Sequence, residues 1–440
     1  MSITTAAGGV LSRLDLDGVE LRSADDPRWL VDARRDALAW VAEHGFPTRK
    51  DEDWKYTKLA PILDRPFEPA PAAVGTRVSA ALLRARGPEL GGARLVFVNG
   101  HLRADLSSID GLAAGAVVCG LATALLAHPE QLEPILSRPA GRRHGFAAFN
   151  DVLAVDGAFI HLAAGVSVSE PIHLVFISDT DGAALLSSPR CVVLAEAGSR
   201  AHIVETHFGF DGDVHCTNSV TNVVLGEDAH VEHDKVQDEP ETAFHLGLLD
   251  IQQGRGSRFI SRSIMLGARI ARQEVRVGLV EPDAEVSLDG LYLPHGEQVH
   301  DNTIFVDHAA INCTSNQLYK GVLDGRGHGI FNGHIMVRPG ADGTDANQKN
   351  KNLNLSDRAE ADTRPRLEIY TDDVKCTHGA AVGQLDEHAL LYLRSRGLTE
   401  SGARALLVYG FIHEMLDRIG LVPLREHVQT LLERRSAGVQ

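Results

Sequence analysis

The feature of this sequence that most restricts its fold is a short turn that recurs at an almost constant interval. Three-residue turns between apolar runs are centred at residues 198, 227, 255 and 282, so successive centres lie 29, 28 and 27 residues apart. Around the last turn, apolar side chains alternate with other residues at Val275, Val277, Leu279, Ala284, Val286 and Leu288. Alternation of this kind predicts β-strands, and a repeat of this length predicts a solenoid whose stacked coils share one core.

The same pattern also suits a different β architecture. A strand, a three-residue turn and a second strand can form a hairpin, and hairpins build sandwiches and barrels. The regular spacing favours the solenoid, but the turns alone leave both architectures open.

Both ends of the chain are predicted to be helical. Asp25-Asp26-Pro27 suits the start of a helix, because Asp caps helix N-termini and Pro fits the first turn. Near the other end, Asp386 and Thr399 are placed to cap two further helices, and Pro423 to begin a third. The expected organisation is therefore a helical region over 1–90, a β-core over 91–378 and a helical region over 379–440.

Net charge and cysteine usage exclude several classes of partner. The chain carries 43 basic and 59 acidic residues, a formal charge of -16, and therefore repels nucleic acid and anionic membrane surfaces. Residues 1–20 contain no basic segment followed by an apolar one, so no secretory signal is expected, and no apolar run is long enough to span a membrane. The five cysteines are scattered and odd in number, which does not suit a disulfide framework. We therefore expect a cytoplasmic protein.

The sequence motifs of common enzymes are missing. The chain has no G-x-x-x-x-G-K-[ST] phosphate loop, no G-x-S-x-G elbow and no H-E-x-x-H zinc helix. We therefore expect no enzyme activity, no catalytic residues, and no nucleotide bound by this chain itself. Histidine is abundant, at 21 residues, and six in the β region are expected to be surface or hydrogen-bonded side chains: His230, His233, His245, His295, His300 and His308. Strand alternation places His300 and Asp301 on opposite faces.

Cys376 and His378 are the candidate metal ligands. They lie two residues apart in the run VKCTHG over 374–379, and residues at this spacing face the same way on an extended strand. Thiolate and imidazole both suit iron and zinc. A closed site needs about four ligands. Either another subunit supplies the rest, or the two residues are a structural cysteine and a surface histidine.

Three stretches of the sequence resemble one protein family. The run VKCTHGAAVGQLD over 374–386, continued by YLRSRG over 392–397, resembles the C-terminal signature of the SufD family, which belongs to the SUF machinery for iron–sulfur cluster assembly. The runs DANQKN over 345–350 and PRLEI over 365–369 are similar to the segment that precedes this signature. The run EDWKYTKL over 52–59 resembles the W-K-Y-T-x-L element of the family.

The resemblance implies a mainly β fold, with a right-handed parallel β-helix core between helical N- and C-terminal regions. It also implies a non-catalytic subunit of a SufBCD-type scaffold, which pairs with its paralogue SufB through the β-helix and binds the ATPase SufC through its C-terminal helices. SufD-like proteins can form homodimers when alone. The histidine that matches His378 is implied to hold a nascent, transient iron–sulfur cluster at the interface with SufB, which supplies further ligands. Cys376 is the matching cysteine and the second candidate ligand.

Three alternative functions remain beside this one. The chain could be a SufB-like main scaffold, although its few cysteines suit a helper subunit better. A β-helix polysaccharide lyase or hydrolase would need a groove of Asp, Arg and Lys or paired carboxylates. A purely structural adaptor would use Cys376 and His378 only for packing at an interface.

Overall fold

A computed structural model describes residues 26–72, 76–137 and 144–437 of the chain. Segment 1–20, in which no secretory signal is expected, and Asp25 at the predicted helix start lie outside these residues. The helices are α1 (Arg28–His44), α2 (Ala60–Leu63), α3 (Ala80–Arg86), α4 (Leu121–Ala127), α5 (Pro129–Leu136), α6 (Gly145–Leu153), α7 (Glu387–Ser395), α8 (Glu400–Asp417) and α9 (Val422–Ala437), with short 3-10 helices at Glu52–Trp54 and Ala104–Leu106. None of the helices in the described ranges is both long and apolar enough to cross a membrane.

Most of the chain between α3 and α7 is β-strand. The strands are β1 (Glu68–Pro69), β2 (Arg94–Val98), β3 (His101–Leu102), β4 (Ala116–Gly120), β5 (Ala158–Leu162), β6 (Ile172–Ser178), β7 (Leu185–Ser187), β8 (Arg190–Ala195), β9 (Arg200–Gly209), β10 (His215–Leu225), β11 (His230–Asp238), β12 (Phe244–Gln253), β13 (Arg258–Met265), β14 (Ile270–Leu279), β15 (Glu285–Tyr292), β16 (Val299–His308), β17 (Thr314–Leu323), β18 (His328–Val337), β19 (Thr344–Asn354), β20 (Glu360–Ile369) and β21 (Val374–Gln384).

These strands form two long sheets that wind as a solenoid. Sheet A has the order β20-β18-β16-β14-β12-β10-β8-β5-β4, and sheet B the order β21-β19-β17-β15-β13-β11-β9-β6-β2-β3. The chain moves from one sheet to the other at every turn, so the strands from β8 onward pair with the strand two positions later, in parallel. The fold class expected from the sequence is confirmed as a mainly β solenoid of about eight turns with helices at both ends.

The pairing also decides between a solenoid and hairpins. In a hairpin, β8 would pair with β9 in antiparallel fashion across the turn at Gly198. Instead, β8 pairs with β10 and β9 pairs with β11, both in parallel. The recurring turns therefore connect the two sheets, and the alternating apolar residues on both sides of the turn at 282 belong to one shared core.

The recurring turns form a hydrogen-bonded ladder along the edge of the solenoid. At each turn, a residue with positive φ donates its backbone N–H to a carbonyl of the next turn, as Gly198 does to Glu227 at 2.7 Å and Gly256 to Pro282 at 3.0 Å. The remaining rungs run from Asp228, Asp283, Asn312 and Gly343. Gly, Asn and Asp are the residues that adopt this left-handed conformation most readily. The turn composition thus explains both the period and the stacking of the coils.

Two stretches differ from the expected regions. Residues 121–136 and 145–153 fall inside the expected β-core but form α4, α5 and α6. In α4, for example, Leu121, Ala124 and Leu125 bury one face at helical spacing. At the other end, the expected core stops at 378, whereas β21 continues to Gln384 through pairing of residues 379–384 with 349–354 of β19. Glycines at 379 and 383 disfavour helix in this run.

The predicted C-terminal caps are confirmed. Asp386 accepts a hydrogen bond from the backbone N–H of His388 at 2.8 Å at the start of α7. Thr399 accepts one from Gly402 at 3.1 Å at the start of α8. Capping by these two side chains therefore marks where α7 and α8 start. Helix α1 differs from the prediction: its N-cap is Pro27, no side chain caps it, and Asp26 pairs with Arg34 instead.

Candidate functional site

Strand β21 lies at the open end of the solenoid and carries both candidate ligands. It pairs with β19 on one edge, and its other edge has no strand partner among the described residues. Most of its side chains are exposed, since no further coil covers their inner face; Val382, for example, is 48% exposed. An unpaired strand edge of this length presents free N–H and C=O groups to another chain.

Cys376 and His378 face the interior side of this last coil. Cys376 pairs in register with Ala346 and packs against the small apolar cluster around Ile335 and Val337. His378 pairs in register with the buried Gln348, and by strand alternation shares the face of Cys376. Its side chain is nevertheless exposed, because the solenoid ends at this strand.

The two side chains differ in their environment. Burial raises the pKa of the Cys376 thiol, and the nearby charge of Asp345 raises it further. The thiol is therefore protonated at neutral pH, and a metal ion that bound there would have to displace the proton. His378 offers its imidazole directly to solvent. Within the described residues, no third His, Cys, Asp or Glu joins these two in a compact ligand group. Cys376 and His378 therefore stay candidate ligands only.

The C-terminal helices divide into a docked pair and an exposed helix. Helices α8 and α9 pack on the outer face of sheet B, where Ile412, Leu416 and Val428 join the core cluster of Val204 and Val236. Helix α7 buries none of its residues, and it exposes Leu391 by 60% and Tyr392 by 57%. The neighbouring α8 exposes Leu406 and Tyr409 as well. These four exposed apolar and aromatic residues, on helices that contact each other, are called here the α7–α8 surface.

Polar contacts hold α8 on the solenoid. The Lys320 ammonium donates to the carbonyl of Phe411 at 2.8 Å and lies 2.7 Å from the Glu414 carboxylate. Arg418 lies 2.9 Å from the largely buried Asp289. The helix that follows α7 is thus fixed to the same sheet that ends in β21.

The W-K-Y-T element has a structural role that the sequence did not reveal. Trp54 is buried against Phe146, and the Arg272 guanidinium lies 3.8 Å from the centre of the Trp54 ring. Arg272 also donates to the Asp53 carbonyl at 3.0 Å and to the buried Asp301 carboxylate. Residues 52–57, called here the N-terminal clasp, therefore bind the outer face of sheet A.

The N-terminal clasp crosses four coils. Thr57 donates to Asp301 on β16, and Asp53 accepts from Asn332 on β18 at 3.0 Å. Glu52 pairs with Arg364 on β20, next to the open end. Because these partners lie more than 200 positions away in sequence, no local pattern could have indicated them.

The interior of the middle coils contains a compensated charge cluster. Glu205 lies near the rings of His207 and His233, at 3.3 and 3.2 Å, and Glu239 lies near those of His215 and His245, at 3.2 and 2.7 Å. Burial alone would raise the pKa of both carboxyls, but the histidines outweigh it, and both pKa values fall well below the usual range. Contacts with these rings, and at Glu205 the Lys235 ammonium 3.9 Å away, thus stabilise the buried carboxylates.

Two of the sequence expectations for histidines are confirmed. His300 faces the interior, where its Nε2 lies 3.0 Å from the Gly267 carbonyl, while Asp301 points outward to Arg272. His233 and His308 are also buried and lie within hydrogen-bond distance of serine hydroxyls. These residues are hydrogen-bonded interior side chains.

A cleft of about 570 Å³ on the outer face of sheet A carries the charged groups that a polysaccharide lyase would need. Its lining includes Asp307, Asp250 and Arg276. Asp307 accepts two hydrogen bonds from Arg338 at 2.7 Å, and Arg276 donates to Glu274 at 2.5 Å. Asp307 and Arg276 are thus engaged in ion pairs, and Asp250 accepts a hydrogen bond from the Asn222 amide at 3.2 Å. Cys376 and His378 are not among the lining residues of this cleft.

The two sheets and their exposed last strand define a parallel β-solenoid protein. The family model described as SUF system FeS cluster assembly, SufBD core domain, matches residues 176–411. A second one, SufBD protein N-terminal region, matches residues 19–174. The chain therefore belongs to the SufBD family of the SUF system for iron–sulfur cluster assembly, and the resemblance seen in its motifs is confirmed.

Similar proteins span nearly the whole chain. An iron–sulfur cluster assembly SufBD family protein of Synechocystis is 32% identical over 92% of this chain and 91% of its own length. The iron–sulfur cluster assembly protein SufD of Escherichia coli is 28% identical over 91% of this chain and 92% of its own length. The SufD protein of Bacillus subtilis is 25% identical over 73% of this chain and 74% of its own length.

Proposed function

We propose that this chain is a non-catalytic subunit of a SufBCD-type scaffold that helps to build an iron–sulfur cluster at its open end. The observation that carries the proposal is the pair of ligand-type side chains, His378 and Cys376, on an exposed edge strand without a third ligand nearby. A site that is half complete on one chain is suited to completion by another. In this proposal the cluster is transient cargo, shared across the interface and then released.

The partner at the open end is proposed to be a SufB-like paralogue. A second β-solenoid can continue the sheet along the unpaired edge of β21 and cover the inner face of the last coil. That contact would bury His378 and Val382 together. A low-dielectric interface strengthens metal–ligand and charge interactions, and it protects a cluster from solvent.

The ATPase partner is proposed to bind the α7–α8 surface. This surface exposes aromatic and aliphatic side chains on α7 and on α8, and α8 is fixed to the solenoid by its other side. The chain has no phosphate-binding loop of its own, so ATP hydrolysis is assigned to a SufC-like subunit. The absence of a disulfide among the five cysteines agrees with a reducing cytoplasm as the working compartment.

Two of the alternatives have less support. Relatives named SufD favour a SufD-like role over that of a SufB-like main scaffold. Membership of the SufBD family leaves no support for a polysaccharide lyase or hydrolase. The structural adaptor without a metal role is the second candidate function, since Cys376 packs against apolar neighbours as a structural cysteine would.

Co-expression with SufB-like and SufC-like partners, followed by anaerobic purification and iron and sulfide analysis, tests the proposal. We expect His378→Ala to leave the complex assembled and to lower its iron and sulfide content severalfold. His295→Ala is the matched control, because His295 is also partly exposed but lies in the loop between β15 and β16. A complex whose cluster content is the same in both variants would assign the adaptor role to this chain.

A further inference from the structure

Pairs of histidine and carboxylate that bridge neighbouring coils recur on the outer faces of the solenoid. Each pair joins neighbouring coils within one sheet, with Glu196 directly after the end of β8. The ring nitrogen lies 2.6 to 3.2 Å from the carboxylate in His161–Glu196, His202–Asp234, His328–Asp362 and His334–Glu368. In three of these pairs, a further group forms a hydrogen bond or an ion pair with the carboxylate or the ring. The fourth, at His328, has a second carboxylate instead.

His328, Glu360 and Asp362 form a compact group near the open end. His328 begins β18 and pairs in register with Glu360, which begins β20. Asp362 follows two residues later and therefore projects from the same outer face as Glu360. The His328 Nε2 lies 2.7 Å from the Asp362 Oδ2, and one ligand atom from each of the three residues lies within 4.8 Å of the others. Within the described ranges, this is the one such group of three.

In the other three pairs, a nitrogen group contacts the carboxylates or the ring. At His202, the Arg262 guanidinium binds both Asp234 and Glu232, at 3.2 and 2.7 Å. The His334 ring lies 2.6 Å from a nitrogen of Arg366, which also approaches Glu368. Backbone N–H of Ala164 satisfies the second oxygen of Glu196.

No equivalent group compensates the carboxylates at His328. Among residues with described positions, no Lys or Arg lies within 4.0 Å of Glu360 or Asp362, and the nearby Arg326 points to Glu297 at 3.6 Å. Two carboxylates are thus held beside one imidazole without a cation, at a cost in electrostatic repulsion.

We propose that His328, Glu360 and Asp362 form a binding site for a divalent transition-metal ion of the Mn²⁺, Fe²⁺ or Zn²⁺ class. One imidazole nitrogen and two carboxylate oxygens are ligands that these ions accept. Metal–ligand bonds of about 2.0–2.2 Å place neighbouring ligand atoms roughly 3 Å apart, so small side-chain rotations from the observed positions suffice. The exposed side of the group leaves the remaining coordination positions to water. This site is separate from Cys376 and His378, and it does not depend on the proposed function.

Titration of the purified full-length chain with Mn²⁺, with free Mn²⁺ counted by electron paramagnetic resonance, tests the proposal. We expect one saturable site per chain, weakened at least about tenfold by Glu360→Gln or His328→Ala, since even outer-shell changes cost 10–100-fold in metal affinity. Glu360 is exposed, so its substitution leaves the fold intact. His202→Ala is the control, because it removes a His–Asp pair that Arg262 already compensates.

The ligand assignment has its own control. The double variant Cys376→Ser, His378→Ala is expected to bind Mn²⁺ as the unmodified chain does. Absence of saturable binding, equal weakening by His202→Ala and Glu360→Gln, or loss of binding in the double variant alone would each overturn the proposal.

Discussion

At the scale of single residues, the interior of this solenoid buries polar side chains, histidines among them, beside its apolar core. His300 is fully buried, and its partner is a backbone carbonyl, not a carboxylate. A ring in this position can remain neutral, but its protonation would place an uncompensated charge in the core. Burial accordingly lowers the pKa of His300 to about 3, and the positive charge of Arg435 adds to this effect.

The buried histidines predict a loss of stability in mild acid. Above about pH 6.5, His300 is neutral in both the folded and unfolded chain. As the pH falls from there towards about 3, the unfolded chain binds a proton that the folded chain excludes, so the free energy of unfolding decreases. His173, His245 and His308 have lowered pKa values of about 3, 4 and 4, and they act in the same direction.

We expect His300→Gln to flatten this pH dependence. One such histidine contributes up to about 1.4 kcal/mol per pH unit inside the window. The measurement is the unfolding midpoint at pH 7, 6 and 5 for the unmodified chain and the variant, with His388→Gln on the exposed helix α7 as control. An identical slope for all three proteins would contradict the prediction.

At the scale of elements, strand β21 connects the candidate ligands to the C-terminal helices. The strand continues six residues past His378, and α7 begins directly after its cap Asp386. A force applied to α7 by an ATPase would therefore act on the strand that carries His378. Only two residues, Leu385 and Asp386, lie between the end of β21 and the start of α7.

The N-terminal clasp is the element whose removal should loosen the solenoid most. Trp54→Ala removes a buried ring and its contact with Arg272, so we expect a destabilisation of about 3–5 kcal/mol for the clasp region. Lys55→Ala, one residue later but exposed, should change stability by less than about 0.5 kcal/mol. Thermal unfolding and the rate of proteolysis before residue 60 measure both effects. Equal proteolysis rates in the two variants would show that the clasp does not hold this segment.

At the scale of the whole molecule, the solenoid is closed at one end and open at the other. Antiparallel β4 and β3 finish the two sheets near the N-terminal helices, whereas β20 and β21 end them with exposed strands. Proteins normally protect such edges with charge, bulges or a covering element. A long uncovered edge on a SufBD family member thus agrees with its use as an interface.

Self-association through the open end should be disrupted by a charged side chain introduced on β21, but not by one introduced elsewhere on the surface. We expect the isolated chain to associate at micromolar concentration and Val382→Asp to abolish the association, because it would place a carboxylate in the interface. Val280→Asp is the matched control, since Val280 is exposed to a similar degree, 44% against 48%, but lies on another surface. Sedimentation analysis reports the masses. A chain that is monomeric throughout, or that dissociates equally in both variants, would exclude this interface.

The sequence by itself determined the features that depend on local chemistry. The period of the turns follows from residues that tolerate positive φ, and strand alternation placed His300 and Asp301 on opposite faces. Capping residues Asp386 and Thr399 marked the helix starts. The sequence also placed Cys376 and His378 on one face, because both lie on one strand, two residues apart.

Only the tertiary structure decided what depends on contacts between distant segments. It placed the N-terminal clasp on four coils, brought buried histidine rings to Glu205 and Glu239, and brought His328 to Glu360 and Asp362. Each of these contacts joins side chains through the stacking of coils or the docking of a segment onto them. Their register follows from the whole fold, because a solenoid converts a separation of about 30 residues in sequence into direct contact between neighbouring strands.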